Sequence, residues 1–375
     1  MKLIKRFLSF LFVSLLISFT VNGADLDLNS TSACLMEAST GKILYEMNAD
    51  EKLEPASVTK IMSLLLVFEA MDEGKFDLNS PVSGSEHACS MGGSQIWLEP
   101  GETMTVNEML KAVIVASAND CTVALGELVA GSEEGFAALM NERAKELGMV
   151  NTHFVNCTGL PADNHYTTAR DIAIMTRELH KHKKVYDYTK IWMDTLRGGE
   201  FGISNTNKLI RFYNGATGMK TGYTSSALYC MSATAERGGM NLIASVMKCE
   251  SSDKRFAGAK KLLEYGFANY AVYKPEPIEL ENIKVLGGVK DSVKIESDLE
   301  EILIDKGRQN KVEVRMEIDE CISAPVKKDT KVGTVKYSIE GQEIGSFPII
   351  TSESIEKITF FEIFKRLLTS SVTVR

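Results

Sequence analysis

From Ser57 to Met71 the chain reads as a helix without a polar face. Ile61, Met62, Leu64, Leu65, Leu66, Val67 and Phe68 point in nearly every direction around its axis. A helix that is apolar all round is a buried helix, with other elements packed about it. At its start stands Ser57-Val58-Thr59-Lys60. A three-residue offset puts the hydroxyl and the amine on one face of the helix. A hydroxyl and an amine are thus placed side by side at the entry to the interior.

The first 23 residues stand apart from the fold. Lys2, Lys5 and Arg6 precede an apolar run from Phe7 to Val21, and Val21-Asn22-Gly23 offers small residues for cleavage before Ala24. That order is the layout of a secretory signal peptide. The apolar core is short for a membrane span, which favours cleavage over a retained anchor. Removing three positive charges takes the net charge from -8 to -11. An acidic, exported chain has no electrostatic case for binding nucleic acid.

Seven cysteines follow the leader: Cys34, Cys89, Cys121, Cys157, Cys230, Cys249 and Cys321. An odd number cannot all pair within one chain, and no CxxC is present. They read mostly as small buried apolar side chains, with several free thiols. His87, His153, His165, His180 and His182 show no metal-ligand pattern such as HExxH. No metal or cofactor is expected.

Residues 32–50 read as a hairpin: Ala33–Met36 and Ile43–Tyr45 flank the turn Ser39-Thr40-Gly41-Lys42. Thr105 and Glu108 have the spacing of a capping box ahead of Val113-Ile114-Val115. Helices are expected after Asn119, over 168–183 and from Lys254 to Phe267. Two strands are expected around Arg237-Gly238-Gly239 within 228–248. After Pro275 and Pro277 the pattern alternates: Val312, Val314, Met316 and Ile318 interleave with Glu313, Arg315 and Glu317. Alternation of this kind is half-buried antiparallel strand. The boundaries expected are a main domain over 24–275 and a small all-β domain over 276–350. An amphipathic helix over 353–370 follows, with Ile355, Ile358, Phe361, Phe364, Leu367 and Leu368 at helical spacing.

Three short motifs carry chemistry. A serine hydroxyl such as that of Ser57 is a weak nucleophile that needs a base. Lys60 can be that base only when neutral, which calls for a dry pocket or a neighbouring cation. Ser117-Ala118-Asn119 falls in the break between two apolar helices. It offers a second hydroxyl to relay a proton and an amide to orient a peptide. Lys220-Thr221-Gly222 follows the turn-rich Asn214-Gly215-Ala216-Thr217-Gly218 and offers a charge, a hydroxyl and a close backbone approach. Alone, each motif reads more simply as a cap, a turn or a surface tripeptide. Together they stand in the order SxxK, SxN, KTG, about 60 and then about 100 residues apart, and that order is the signature of penicillin-binding proteins and class A β-lactamases.

The chain resembles the low-molecular-mass penicillin-binding proteins that are serine-type D-alanyl-D-alanine carboxypeptidases. Pro55-Ala56-Ser57-Val58-Thr59-Lys60, Gly93-Ser94-Gln95-Ile96, Ser117-Ala118-Asn119-Asp120 and Asn156-Cys157-Thr158-Gly159-Leu160 carry the likeness. His165-Tyr166-Thr167-Thr168-Ala169-Arg170-Asp171, Gly218-Met219-Lys220-Thr221-Gly222-Tyr223-Thr224, and Arg255 ahead of Lys260-Lys261-Leu262-Leu263 extend it. It covers about 30 to 270, and the sporulation-associated members of Gram-positive spore formers are similar more closely still.

The resemblance implies an α+β fold of the penicillin-binding/β-lactamase-like transpeptidase type. An antiparallel sheet has flanking helices and a helical insertion, and a small all-β domain and a C-terminal amphipathic helix follow. It implies a hydrolase that removes the terminal D-alanine from peptidoglycan stem peptides ending in D-Ala-D-Ala and that β-lactam antibiotics acylate. Ser57 is then the nucleophile, Lys60 its base and Ser117 a proton relay. Asn119, Lys220, Thr221, Gly222, Tyr223 and Arg255 then bind substrate. Lys220, Thr221 and Arg255 meet the terminal carboxylate, and backbone N–H groups of Ser57 and Tyr223 form the oxyanion hole. Tyr223 stands where certain members have His, and Thr206 where certain members have Arg, which puts one substrate-steering charge in doubt. The tail implies a peripheral protein on the outer face of the cytoplasmic membrane.

Three other readings are open. A D,D-endopeptidase shares every motif. A β-lactamase needs a deacylating carboxylate in Glu-x-x-Leu-Asn, and the nearest block, Glu142-Arg143-Ala144-Lys145, fails at its fourth position. A non-catalytic scaffold of the same fold has no use for an intact Ser57, Lys60, Ser117, Asn119 and Lys220.

Overall fold

A computed structural model describes residues 26–365. The signal peptide expected over 1–23 and the tail beyond Lys365 lie outside the described residues.

The central sheet has five antiparallel strands. They are β1 (Ser32–Glu37), β2 (Ile43–Met47), β3 (Ala216–Thr224), β4 (Leu228–Arg237) and β5 (Met240–Cys249), in the order β2-β1-β5-β4-β3. The hairpin expected at 32–50 is β1–β2, and the pair expected around Arg237-Gly238-Gly239 is β4–β5. Both faces of the sheet are covered, so its strands are buried on alternate sides. Cys34 and Met36 of β1 join one apolar cluster, and Ala33 and Leu35 join the other. On the first face lie α1 (Lys60–Asp72), α2 (Asn119–Ala130) and α3 (Ala169–Lys181). On the second lies α4 (Ser252–Asn269), whose Phe256, Ala259, Leu262 and Leu263 pack on Leu242, Ala244 and Val246.

The helix expected from Ser57 is buried as its composition requires: Ile61, Met62, Leu65 and Phe68 are almost wholly inaccessible. Its entry is tighter than expected. Ala56–Thr59 form a 3-10 turn, and the α-helix begins at Lys60. The capping box at Thr105 and Glu108 is present and opens the short helix Val106–Lys111. That helix runs into a π turn, Ala112–Ala116, which stops at Ser117 in the left-handed conformation (φ 65°).

From Tyr270 to Thr351 the regular structure is β, apart from one 3-10 turn at Gln309–Lys311. Tyr270–Tyr273 pairs with Ile302–Asp305 and bridges two cores. Tyr270 and Val272 pack on the second cluster, Ala271 and Tyr273 on a third. The third cluster is enclosed by β6 (Ile283–Leu286), β7 (Ile295–Glu296), β8 (Val312–Ile318), β9 (Cys321–Ser323), β10 (Lys331–Ile339) and β11 (Gln342–Thr351). Four of these make one antiparallel sheet in the order β7-β11-β10-β8.

The amphipathic helix expected from residue 353 starts later. Ile355 is buried in the third cluster and bridges to Val326, and the Ile358 amide donates to the Gly287 carbonyl. One apolar side chain of the supposed stripe is therefore spent in the β-domain core, and the backbone of a second is tied to that domain. Helical backbone begins at Phe360, where Thr359 and Glu362 exchange reciprocal hydrogen bonds, and Phe360, Phe361, Ile363 and Phe364 are exposed. Among the described residues no helix is long and apolar enough to cross a membrane.

All seven cysteines are unpaired, and Cys321 is exposed while Cys34, Cys121, Cys157, Cys230 and Cys249 are buried. This agrees with their reading as small apolar side chains. Burial pushes the Cys34 thiol up to about 12 and Cys230 to about 11, which keeps them protonated.

Candidate active site

The 3-10 turn sets Ser57 at the mouth of the buried helix and Lys60 one turn inside it. Lys60 Nζ lies 3.0 Å from Ser57 Oγ, 2.6 Å from Asn119 Oδ1 and 2.8 Å from the Thr158 carbonyl oxygen. The amine is wholly buried, and burial is the main force that lowers its pKa from 10.5 to about 7. The negative charge of Asp120 opposes that shift without cancelling it.

A second hydroxyl–amine pair faces the first. Lys220 Nζ, on β3, donates to Ser117 Oγ at 2.8 Å and to the Thr221 carbonyl at 3.1 Å. Lys220 is also buried, and its pKa is driven well below the usual value, first by burial and then by the charges of Lys60 and Arg255. Two buried amines this close do not both hold a full charge comfortably. The left-handed turn at Ser117 is what points its hydroxyl at Lys220, while Asn119, two residues on, reaches Lys60. Thr221 Oγ1 donates to Thr206 Oγ1 at 2.7 Å, so the hydroxyl at 206 anchors the motif.

Gly222 is required sterically. A Cβ there would meet the Pro55 carbonyl oxygen at 2.7 Å and Ser57 N at 3.1 Å. The edge strand and the serine turn thus run in backbone contact. The Tyr223 side chain is 55% exposed and lies on Tyr229, ring centres 4.4 Å apart. Arg255 is placed differently from the rest. It is buried at the start of α4, donates through Nη1 to the Gly222 carbonyl at 3.1 Å, and packs against the Tyr229 and Phe256 rings. It backs the strand from behind; its Nε has no partner among the described residues.

Several contributors were not singled out as site residues in the sequence. The Thr158 carbonyl reaches Lys60 because Asn156 Oδ1 accepts from the Thr158 and Gly159 amides, folding 156–159 into a tight Asx turn. Asp120, fully buried, accepts through Oδ2 from the Ile96 and Leu98 amides, each at 3.0 Å. That clamp holds the 92–98 segment, whose Gly92 and Ser94 carbonyls accept from Asn119. His165 Nδ1 accepts from the Val155 amide, so Nε2 carries the proton and donates to Thr59 Oγ1 at 2.9 Å. Burial takes His165 down to about 4, so it stays neutral and supports the turn instead of moving protons.

Known proteins resemble this chain in sequence and fold. The family profile described as D-alanyl-D-alanine carboxypeptidase matches residues 19–251, and one described as the penicillin-binding protein 5 C-terminal domain matches 268–357. The D-alanyl-D-alanine carboxypeptidase DacF of Bacillus subtilis (strain 168) is 42% identical over 347 residues, covering 90% of this chain and 88% of that protein. The chain belongs to the D-alanyl-D-alanine carboxypeptidase family. DacC of Escherichia coli (strain K12) is 34% identical over 87% of this chain and 84% of its own. Penicillin-binding protein 5 from Haemophilus influenzae superposes with a TM-score of 0.79 at 32% identity, covering 88% of this chain and 98% of that one. Penicillin-binding protein D2 from Listeria monocytogenes, solved in an ampicillin-bound form, gives 0.58 at 32% identity over 64% of this chain and 98% of that one. The α+β fold, the following all-β domain and the serine-type carboxypeptidase class expected from the motifs are those of this family. In this chain Ser117-Ala118-Asn119 links the two hydroxyl–amine pairs, and Gly222 lies against the serine turn.

Proposed function

We propose that this carboxypeptidase releases the terminal D-alanine of peptidoglycan stem peptides through an acyl-enzyme on Ser57. The observation that carries the proposal is the hydrogen-bonding of Lys60. A neutral amine has two N–H groups and one lone pair. The Asn119 and Thr158 oxygens take the two N–H groups, which leaves the lone pair for the Ser57 hydroxyl 3.0 Å away. Ser57 Oγ then attacks the carbonyl between the two D-alanines while its proton passes to Lys60. The oxyanion meets the amides of Ser57 and Tyr223, each such donor being worth ~3 kcal/mol. Ser117, held by Lys220, relays to the departing D-alanine nitrogen the proton that Lys60 took from Ser57, so Lys60 ends neutral and Ser117 keeps its hydroxyl proton. Lys220 and Thr221 meet the substrate carboxylate, and Arg255 acts on it through the Gly222 strand. Water then releases the shortened peptide and frees Ser57.

β-Lactams would acylate the same serine. Intact-mass analysis after penicillin treatment tests this: one adduct, mapped to Ser57 and absent from Ser57→Ala, is expected. An adduct on another residue, or none on folded protein, refutes the assignment. Lys60→Ala should slow acylation by ~10²–10⁴-fold, the usual contribution of general-base help.

The site of action we infer is the outer face of the cytoplasmic membrane. The leader over 1–23 supports export, and the exposed Phe360, Phe361, Ile363 and Phe364 support peripheral attachment through the tail. Glu353, Glu356 and Glu362 offset Lys357, Lys365 and Arg366, so attachment is mainly hydrophobic.

A further inference from the structure

The four-stranded sheet of the β-domain has two unlike edges. One is β7, two residues long; the other is β8, seven residues long. β8 pairs with β10 without a bulge, from Val312 opposite Ile339 to Ile318 opposite Gly333, and it contains no proline or glycine. Its outer side has no partner strand among the described residues. Natural edges are usually shortened, bulged or covered, because a long regular edge invites another strand. This one also carries an apolar row: Val314 is 46%, Met316 50% and Ile318 40% exposed. Their neighbours across β10, Tyr337 and Val335, are buried in the third cluster. The row therefore lies where one more strand would continue that core.

The other face of β8 presents Glu313, Arg315 and Glu317, alternating in sign, and Glu317, exposed, also holds Lys336 of β10 at 2.8 Å. This pattern selects an occupant. Two antiparallel copies of β8 centred on Met316 set Arg315 opposite Glu317 of the second copy, twice. The same register sets Val314 opposite Ile318, twice, and Met316 opposite itself. Centring on Arg315 instead puts Arg315 against Arg315 and Glu313 against Glu317, and like charges directly opposite are destabilising. Centring on Val314 satisfies the charges but leaves Ile318 outside the apolar row. We infer that β8 is a self-association edge, on which a second copy of this chain pairs antiparallel about Met316. The shared strand is short, so the contact is smaller than the ~1,200 Å² of a standard stable interface, and the dimer is weak and reversible.

Cysteine placement tests the register in the full-length protein. Cys321→Ser removes the exposed native thiol. Directly opposed residues of an antiparallel pair have Cα atoms ~4.5–5.5 Å apart, within the ~4.4–6.8 Å a disulfide spans. Mild oxidation of Met316→Cys should give a covalent dimer. Val314→Cys, Arg315→Cys and Ile318→Cys should each stay monomeric alone, and the first and last should cross-link when mixed. In the Met316→Cys background, Arg315→Glu or Glu317→Arg should lower dimer yield several-fold, and the two together should restore it. A cooperative melt of the reduced protein and unchanged penicillin acylation verify that each variant is folded. No dimer from Met316→Cys, equal dimer from all four positions, or charge reversals without effect would each overturn the inference.

Discussion

Gly159 presses on Ala56 so closely that a Cβ at Gly159 would lie 1.9 Å from the Ala56 carbonyl oxygen. Gly159 has a φ of +83°, and Ala56 itself sits at +50°. The residue just before the serine is thus held in an uncommon conformation by a neighbour that has to lack a side chain. Contact between these two backbones ties the Asx turn that supplies the Thr158 carbonyl to the turn that carries Ser57.

Replacing Gly159 by alanine should therefore injure chemistry more than folding. The unfavourable φ alone costs ~1–3 kcal/mol of stability. The clash is with backbone, so either the Ala56–Ser57 turn or the Thr158 carbonyl has to move. Acylation by a fluorescent penicillin should fall by more than tenfold in protein that still melts cooperatively. A variant with near-normal acylation would show that the contact is not needed for the site.

The pH profile should report Lys60. Burial lowers its pKa to about 7, and the form that accepts the Ser57 proton is the neutral one. Acylation should rise with pH through about 7 and level off above it. Well below that point it should fall about tenfold per pH unit, as a single deprotonation demands. Stopped-flow acylation between pH 5 and 9 measures this, and a rate that is flat or falling across the range counts against Lys60 as the base.

Asp120→Asn should loosen the 92–98 segment that holds Asn119. One carboxylate serves the Ile96, Leu98 and Cys121 amides. An amide side chain keeps one acceptor oxygen and turns an N–H₂ toward the third amide. The expected loss is ~1–3 kcal/mol by urea unfolding, the cost of an unsatisfied buried polar group. Hydrogen exchange should speed up at 92–98 before it does in the sheet. Uniform change across the protein would mean that the clamp is only a stability element.

The tail should be separable from the fold, but only beyond the β-domain. A chain ending at Thr359 keeps Ile355 and the Ile358–Gly287 hydrogen bond. It should remain folded, acylate normally and no longer float with liposomes. A chain ending at Ser352 also loses Ile355 from the third cluster and should unfold the β-domain at lower temperature. If the chain ending at Thr359 floats as well as the full protein, the attachment lies elsewhere.

The parts of this molecule that were legible in its sequence are those written in side chains at fixed spacing. The order of Ser57, Lys60, Ser117, Asn119 and Lys220, the Thr105–Glu108 cap and the β1–β2 hairpin all belong to that kind. What was not legible is carried by backbone groups or by tertiary competition. The Thr158 carbonyl has no side-chain signature, although Asn156 and Gly159 on either side mark the turn that aims it. Ile355 and Ile358 fit a helical stripe as well as they fit a strand end, and burial of Ile355 in the third cluster and the bond of the Ile358 amide to Gly287 decided between the two. Arg255 is part of the motif pattern, yet its place behind Gly222 depends on how α4 crosses β3 and β4.

The π turn at Ala112–Ala116 makes the position of Ser117 a matter of counting. An α-helix advances about 100° per residue, and a π turn accommodates one residue more than its α counterpart. The wider loop is what allows the chain to stop in a left-handed conformation at Ser117 and restart as a helix at Asn119. Conservative changes among Ala112, Val113, Ile114 and Val115 alter packing but not phase. Adding one more residue among them would exceed what the π turn takes up and swing the second serine away from Lys220 by roughly a quarter turn. The relay is thus protected against substitution and exposed to a change in length.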